Sequence, residues 1–462
     1  MRRFLFPILA FTAIAIAGCG GGNVVAPSLP APGPSTSPST SPSASPSASP
    51  SAQPTGVPGT IAATIVNNNP AVTSSSIRVY IYGQQNGSGN TPYEGVKADG
   101  SIYPLTGGSS VIPIAWSGGT GNSETVFLPQ LKGARIYVAS GTALNSIFTV
   151  PAGSSAGPSA PAPWNNDGSQ GVYFDDIEYA SAAPGLINFD LSQVDAIGLA
   201  LEVSATGSGG TQTIGLKSGA ISALQSSVDG LGASWSPLTG EMPYHILNPQ
   251  HLTPLTPPSF LDSAIMTAWN AYKGGTWMEI TAASLSAAGY NAPLYGTVDT
   301  LGNFDFYSLQ NTSSTLVGTI KSPATYAASN PSTTVTEQMF AQDGVFGDFT
   351  TPSTQYPALG PAVGNRLSGA LNSGVMQPAS APSPGAPLTV QPVCTGRFPG
   401  PTVAPYENQF AAALHAVAFN YGYSTGVNQG AAYGYPYDDL CGTSTDTTSS
   451  GTTQMTITIN PS

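Results

Sequence analysis

The sequence predicts a mainly β protein, a sandwich or barrel domain with a mixed α/β domain inserted before its last strand. Of 462 residues, 40% are apolar, and glycine (54) and proline (43) are abundant. That composition favours short apolar runs and many turns over long helical faces. Runs of alternating polarity recur, separated by Gly, Pro, Asn and Ser, as sandwiches and barrels require. Further on the texture changes, and two segments carry apolar side chains at helical spacing.

Taken in order, residues 1–19 open with a basic "MRR" and continue with the apolar "FLFPILAFTAIAIA", too short to span a bilayer comfortably. The segment ends in "IAGC", which resembles the bacterial lipobox and implies a lipoprotein signal peptide with Cys19 as the lipid anchor, the competing reading being an ordinary signal peptide that contains a Cys. The expected location is extracytoplasmic, tethered to a membrane at the cell surface or in the periplasm. Residues 20–59 form a Pro/Ser-rich linker around "SPSTSPSASPSASPSAQP", an extended tether without a core.

The globular part starts near Thr60. "TIAATIVNNN" and "SSSIRVYIYGQQ" read as strands, the second with Ile77, Val79 and Ile81 on one face and Arg78, Tyr80 and Tyr82 on the other. "ETVFLPQL", "ARIYVASG", "NSIFTVPAG", "QGVYFDDIEYA", "GLINFDL" and "VDAIGLALEV" follow in the same style. These give a β-domain over 60–240. In "FLDSAIMTAWNAYKGG", Ile265, Ala268, Trp269 and Tyr272 share a helical face, with Asp262 or Ser263 as cap and Gly274 and Gly275 as the stop. In "PYENQFAAALHAVAFNYG", Phe410, Leu414, Val417 and Tyr421 do the same. With strands such as "TWMEITA" and "NFDFYSL" between them, 241–425 reads as the inserted α/β domain. Residues 426–462, ending in the strand "TQMTITIN", complete the β-domain.

The 11 basic and 23 acidic residues give a net charge of −12 and a pI near 4.4. That balance argues against a nucleic-acid partner, which wants a basic footprint. No G-x-S-x-G elbow and no P-loop occur. Cys394 and Cys441, left over once Cys19 carries lipid, form one disulfide in an oxidising compartment or remain two buried thiols. With three scattered histidines, His245, His251 and His415, they make no zinc pattern, and neither a metal nor a cofactor is expected. The histidines read as structural. Trp164, with Trp116 and Trp235, lies in or beside loops, where a ring either packs in a core or stacks on a sugar.

Only 7% of residues are charged, yet "GVYFDDIEYA" puts Asp175, Asp176 and Glu178 into four positions. In an extended segment Asp176 and Glu178 share a face, and their repulsion raises the pKa of at least one. Such a carboxyl is a candidate general acid. Seventeen positions on, Asp195 offers a second carboxylate able to activate water. Asp175 points to the opposite face, structural or solvated. Capping of turns is the competing reading of all these acids.

At this point the chain resembles glycoside hydrolase family 64, the β-1,3-glucanases, within the thaumatin-like superfamily. The resemblance runs in order through "IVNNN", "SIRVYIYGQQ", "YEGVKADGSIYPL", "VFLPQLKGARIYVASG", "YFDDIEYA", "INFDLSQVDAIGLALEV" and "AAYGYPYDDLCGTS". It implies a thaumatin-like β-domain, a wide cleft between it and the α/β domain, and inverting endo-hydrolysis of β-1,3-glucan by a monomer. By position, Glu178 matches the general acid and Asp195 the general base. Asp190 and Asp438 or Asp439 match further acids lining the cleft, and Asp176 and Trp164 join the expected substrate contacts. Inversion needs the two carboxyl groups roughly 6.5–9.5 Å apart, leaving room for a water. The sequence departs from plant thaumatin-like proteins in holding Asp176 where they hold Arg, and in offering one disulfide where they have many. Two other classes stay open on the sequence: a non-catalytic β-glucan-binding surface lipoprotein, and a structural or adhesion domain.

Overall fold

Alternation builds the strands of the first half of the chain. In the computed structural model, every second residue of β1 (Ile61–Asn67) is buried. In β2 (Ile77–Gln85), Ile77, Val79 and Ile81 enter one core, while Tyr80 and Tyr82 enter another on the opposite face. The strands β3 (Tyr93–Val96), β4 (Ile102–Leu105), β5 (Ile114–Ala115), β6 (Ser123–Leu128), β7 (Leu131–Ser140), β8 (Phe174–Ala183) and β9 (Leu186–Leu191) follow. So do β10 (Ala196–Ile197), β11 (Ala200–Gly207), β12 (Gly210–Gly215) and β13 (Ile246–Leu247). Later come β14 (Met278–Ile280), β15 (Leu294–Val298), β16 (Phe304–Gln310), β17 (Ser313–Ile320), β18 (Phe349–Thr350) and β19 (Leu388–Thr389), then β20 (Thr447–Ser449) and β21 (Gln454–Asn460).

The structure describes residues 55–87, 91–116, 122–152, 156–240, 242, 244–252, 258–274, 276–310, 313–350, 356–376, 388–389, 397–419, 433–435, 438 and 447–462. The lipobox with Cys19, the linker up to residue 54, the cysteines Cys394 and Cys441, and Asp439 lie outside them.

Among the described residues, a five-stranded sheet runs β12-β11-β21-β1-β6 and an eight-stranded one β20-β9-β8-β7-β2-β3-β4, with β5 added beside β2. The C-terminal β21 inserts between β11 and β1, parallel to β1, so the chain's end closes a sheet begun near residue 61. The two sheets pack face to face over a shared core. Ile65, Val126, Val203 and Ile457 come from one, and Val79, Ile136, Ile177 and Phe189 from the other. This is a β-sandwich held by inward-facing apolar residues on alternate positions.

Part of the outer face of the eight-stranded sheet is covered by aromatic rings. Tyr80, Tyr82, Tyr137, Phe148 and Phe174 form a second cluster there. Phe148 belongs to "NSIFTVPAG", which forms no strand. Its first residues make a 3₁₀ turn (Ala143–Ser146), and Phe148 and Val150 fold onto the tyrosines while the backbone makes only an isolated antiparallel bridge, Thr149 to Ser110.

The third core is mixed α/β. A six-stranded sheet, β18-β17-β16-β15-β14-β19, buries Met278, Leu294, Phe304, Phe306 and Ile320 against helices. These helices include α1 (Ala220–Gly230), α2 (Asp262–Asn270), α3 (Val335–Ala341), α4 (Leu359–Asn372) and α5 (Gln409–Val417). Helix α1 presents Ala220, Leu224 and Val228, spaced i, i+4, i+8, so this core starts ahead of residue 241. Helix α2 buries Ile265, Ala268 and Trp269, and the Trp269 Nε1 donates to the Gly302 carbonyl at 2.9 Å. At 25 cal/mol per Å², burying this one ring stabilises the core by roughly 4 kcal/mol. Asp262 does not cap α2. Its Oδ1 accepts the backbone N–H and hydroxyl of Thr336, at 2.8 and 2.6 Å, and so ties α2 to α3. Asn408 caps α5 by accepting the Ala411 N–H at 3.1 Å.

Among the described residues no helix is long and apolar enough to cross a membrane, and no group of three His, Cys, Asp or Glu side chains is placed to hold a metal ion.

Candidate active site

The acidic knot lies on β8, and the strand's period of two sorts it. Ile177 and Tyr179 face the sandwich core. Asp176 and Glu178 face outward, opposite Tyr137 and Arg135 of β7 in the antiparallel register. Asp175 points inward and is 1% exposed, so it is structural rather than solvated. Its Oδ1 accepts the Asp176 N–H at 2.9 Å, and its Oδ2 has no partner among the described residues. Burial, with the Asp176 charge beside it, pushes its carboxyl well above the usual range.

Arg135 is the cation that makes the outward pair tolerable. One guanidinium nitrogen donates to Asp176 Oδ2 at 2.8 Å and the other to Glu178 Oε1. Asp176 is 12% exposed and Glu178 34%. Burial lifts Asp176, Arg135 pulls it back, and the charges of Glu178 and Asp195 lift it again, leaving its pKa at about 7. Across the other edge of β8, Glu178 faces Asp190 of β9, which is half-buried.

Asp195 sits in the segment joining β9 to β10, its side chain 46% exposed. Its carbonyl accepts the Asn248 N–H at 2.9 Å. Its Oδ1 accepts from His251 Nε2 at 2.7 Å and from Gln250 Nε2 at 3.0 Å. Burial works to raise this carboxyl, but the hydrogen bond and charge of His251, aided by Arg135 and Gln250, hold it below the ordinary aspartate value. The Trp164 ring lies on the His251 imidazole, centroids 3.5 Å apart and planes 16° from parallel.

The fold thus brings Asp176, Glu178 and Asp190 onto one sheet face, and binds Trp164 to Asp195 through His251. Asp438, expected among the cleft-lining acids, is elsewhere in character. It is 2% exposed, and its oxygens are taken by Arg397, His415 and the Gly434 N–H, the last two at 2.7 and 2.9 Å. A carboxylate so enclosed holds structure. Sequence reasoning missed Arg135 and His251, which lie 43 and 56 positions from their carboxylates. No spacing signal links them, because β-register and a turn created the contacts.

Residues 59–459 match a family model, Glyco_hydro_64, described as beta-1,3-glucanase. The chain belongs to glycoside hydrolase family 64. Solved structures share its fold. A laminaripentaose-producing β-1,3-glucanase in complex with laminaritetraose superposes with a TM-score of 0.65 at 20% identity, covering 88% of this chain and 99% of that one. The family 64 β-1,3-glucanase domain from Clostridium beijerinckii gives 0.60 at 15% identity, covering 88% and 100%. The laminaripentaose-producing enzyme from Paenibacillus barengoltzii gives 0.52 at 14%, covering 88% and 76%. No curated protein matches the chain significantly in sequence. Family 64 membership makes this chain a glycoside hydrolase of the β-1,3-glucanase kind, and its mainly β architecture is that of the family's structures.

Proposed function

We propose that this family 64 member hydrolyses β-1,3-glucan with inversion, with Glu178 as general acid and Asp195 as general base. The observation that carries the reading is that the two carboxylates have separate hydrogen-bond partners: Arg135 donates to Glu178, while His251 and Gln250 donate to Asp195. Two acids with separate partners are free to take opposite protonation states.

Asp195, favoured as carboxylate, takes the proton of the attacking water. Glu178 gives a proton to the glycosidic oxygen as the bond breaks. Asp176 and Glu178 share one guanidinium, so a single proton on the pair neutralises the excess charge. The substrate lies in a cleft of the thaumatin-like type, with Asp190 and the Trp164 ring as flanking contacts. The enzyme acts as a monomer, lipid-anchored outside the cytoplasm through Cys19 on its Pro/Ser-rich tether, with Cys394 and Cys441 disulfide-linked.

Glu178→Gln and Asp195→Asn are each expected to lower kcat on laminarin about 10²–10⁴-fold. Reducing-sugar release reads this, and proton NMR of the first product shows whether the α-anomer appears. Full activity in either variant, or a β-anomer first, sinks the assignment. One observation favours a second reading, a glucan-binding protein without turnover: the Glu178 carboxyl accepts a hydrogen bond from the Arg135 guanidinium, a partner that a proton donor does not need. Binding of laminarin with no sugar release from wild type would select that reading.

A further inference from the structure

We propose that His251 is the positioning residue of Asp195, fixing which carboxylate oxygen is left to face the reacting water; this rests on the reading of Asp195 as the base. His251 ends a short 3₁₀ turn (Pro249–His251), whose start is capped by Asn248 accepting the Gln250 N–H at 3.3 Å. From that one turn, Gln250 Nε2 and His251 Nε2 both reach Asp195 Oδ1. No described group bonds Oδ2. A carboxylate accepts and never donates, so His251 Nε2 carries the hydrogen of this bond.

The consequence is an asymmetric carboxylate. Oδ1 has its lone pairs engaged by two donors, which stabilises the anion and lowers the basicity of that oxygen. Oδ2 keeps a free lone pair and is the oxygen that takes the proton of the attacking water. Trp164 holds the arrangement from the other side. Its ring covers the imidazole at 3.5 Å, so His251 cannot rotate away from Oδ1 without losing the stack. Two further charged groups act on Asp195, Arg135 of β7 and Asp176 of β8. Arg135 favours its charged form and Asp176 opposes it; Trp164 and Gln250 are neutral. His251 is the charged or chargeable group bonded directly to Asp195, which a general field does not replace.

Two measurements on the full chain test this. The Asp195 carboxyl carbon is titrated by 13C NMR in wild type and His251→Ala, with Asp195→Asn giving the assignment, and kcat/KM on laminarin is followed from about pH 3 to about pH 9. Without His251 the carboxylate loses its closest stabilising group and protonates at higher pH, so the base is lost earlier on acidification. Both the carboxyl midpoint and the acid limb of kcat/KM are expected to rise by about one pH unit. His251→Gln, which keeps an N–H donor, is expected to recover part of that shift. A loss of activity by the same factor at every pH, with an unmoved Asp195 titration, overturns the proposal and leaves His251 a packing residue. If wild type releases no sugar from laminarin, the hydrolase reading fails on its own, and the carboxyl titration still decides whether His251 governs Asp195.

Discussion

Asp176 and Glu178 stand two positions apart on one strand and share one guanidinium, so neither can be changed without re-charging the other. With its pKa at about 7, Asp176 holds a proton on the acid side of neutrality and gives it up above. The basic limb of the pH profile of kcat/KM is therefore expected near pH 7. Asp176→Asn removes one negative neighbour and leaves Arg135 to Glu178 alone, which favours the Glu178 carboxylate. Its basic limb is expected to move to lower pH by about one unit, and an unchanged or upward-moving limb would contradict the shared proton. The knot of acids was visible in the sequence as density in a charge-poor chain, and alternation separated Asp175 from the other two. Its cation was not visible, since Arg135 meets Glu178 only by cross-strand register.

The element that holds the proposed base is a pair of loops rather than a strand. Asn248, fully buried, donates its side-chain N–H groups to the carbonyls of Gln193 and Gly434, at 3.2 and 2.9 Å. Its backbone N–H reaches the Asp195 carbonyl at 2.9 Å. It thereby pins the segment carrying Asp195 to the turn whose Asp438 is locked by Arg397 and His415. Asn248→Ala leaves two buried carbonyls without this donor, and is expected to cost about 2–4 kcal/mol by urea unfolding. A loss under about 0.5 kcal/mol, the usual range for surface substitutions, would show that the pin is slack. At this scale the periodicities read well. β1, β2 and β8 and the helices around Trp269 and Leu414 follow from their apolar spacing. "NSIFTVPAG" did not, because packing onto Tyr80 and Tyr137 outweighed its β-propensity. Asp262 at a helix start looked like a cap and became a helix-to-helix tie, a choice made by Thr336 from 74 positions away.

Across the whole molecule, buried carboxyls pull stability in two directions. Asp175, Asp176, Asp343 and Glu407 are raised by burial, the last two to about 6. Each favours the folded state while protonated, and that contribution is lost as pH rises through the folded-state value. Asp195 and Asp438 are lowered by their cationic partners, and their contribution is lost as pH falls below the ordinary aspartate range. Stability is therefore expected to peak at about pH 4–6 and decline towards pH 8, the excess of acidic side chains adding self-repulsion in the same direction. Calorimetric Tm values that climb steadily from pH 5 to about pH 8 would refute this balance of buried groups. By itself the sequence determined the mainly β class, the alternating strands, the helical faces and the resemblance to family 64. All of these rest on local periodicity and ordered motifs, which one chain segment carries alone. Only the tertiary structure decided that Arg135 serves Glu178, that His251 and Trp164 serve Asp195, and that Asp438 is buried against Arg397 and His415. Those outcomes depend on strand register and loop closure over dozens of residues, and on which polar groups are shut away from water, quantities that no local stretch of sequence contains.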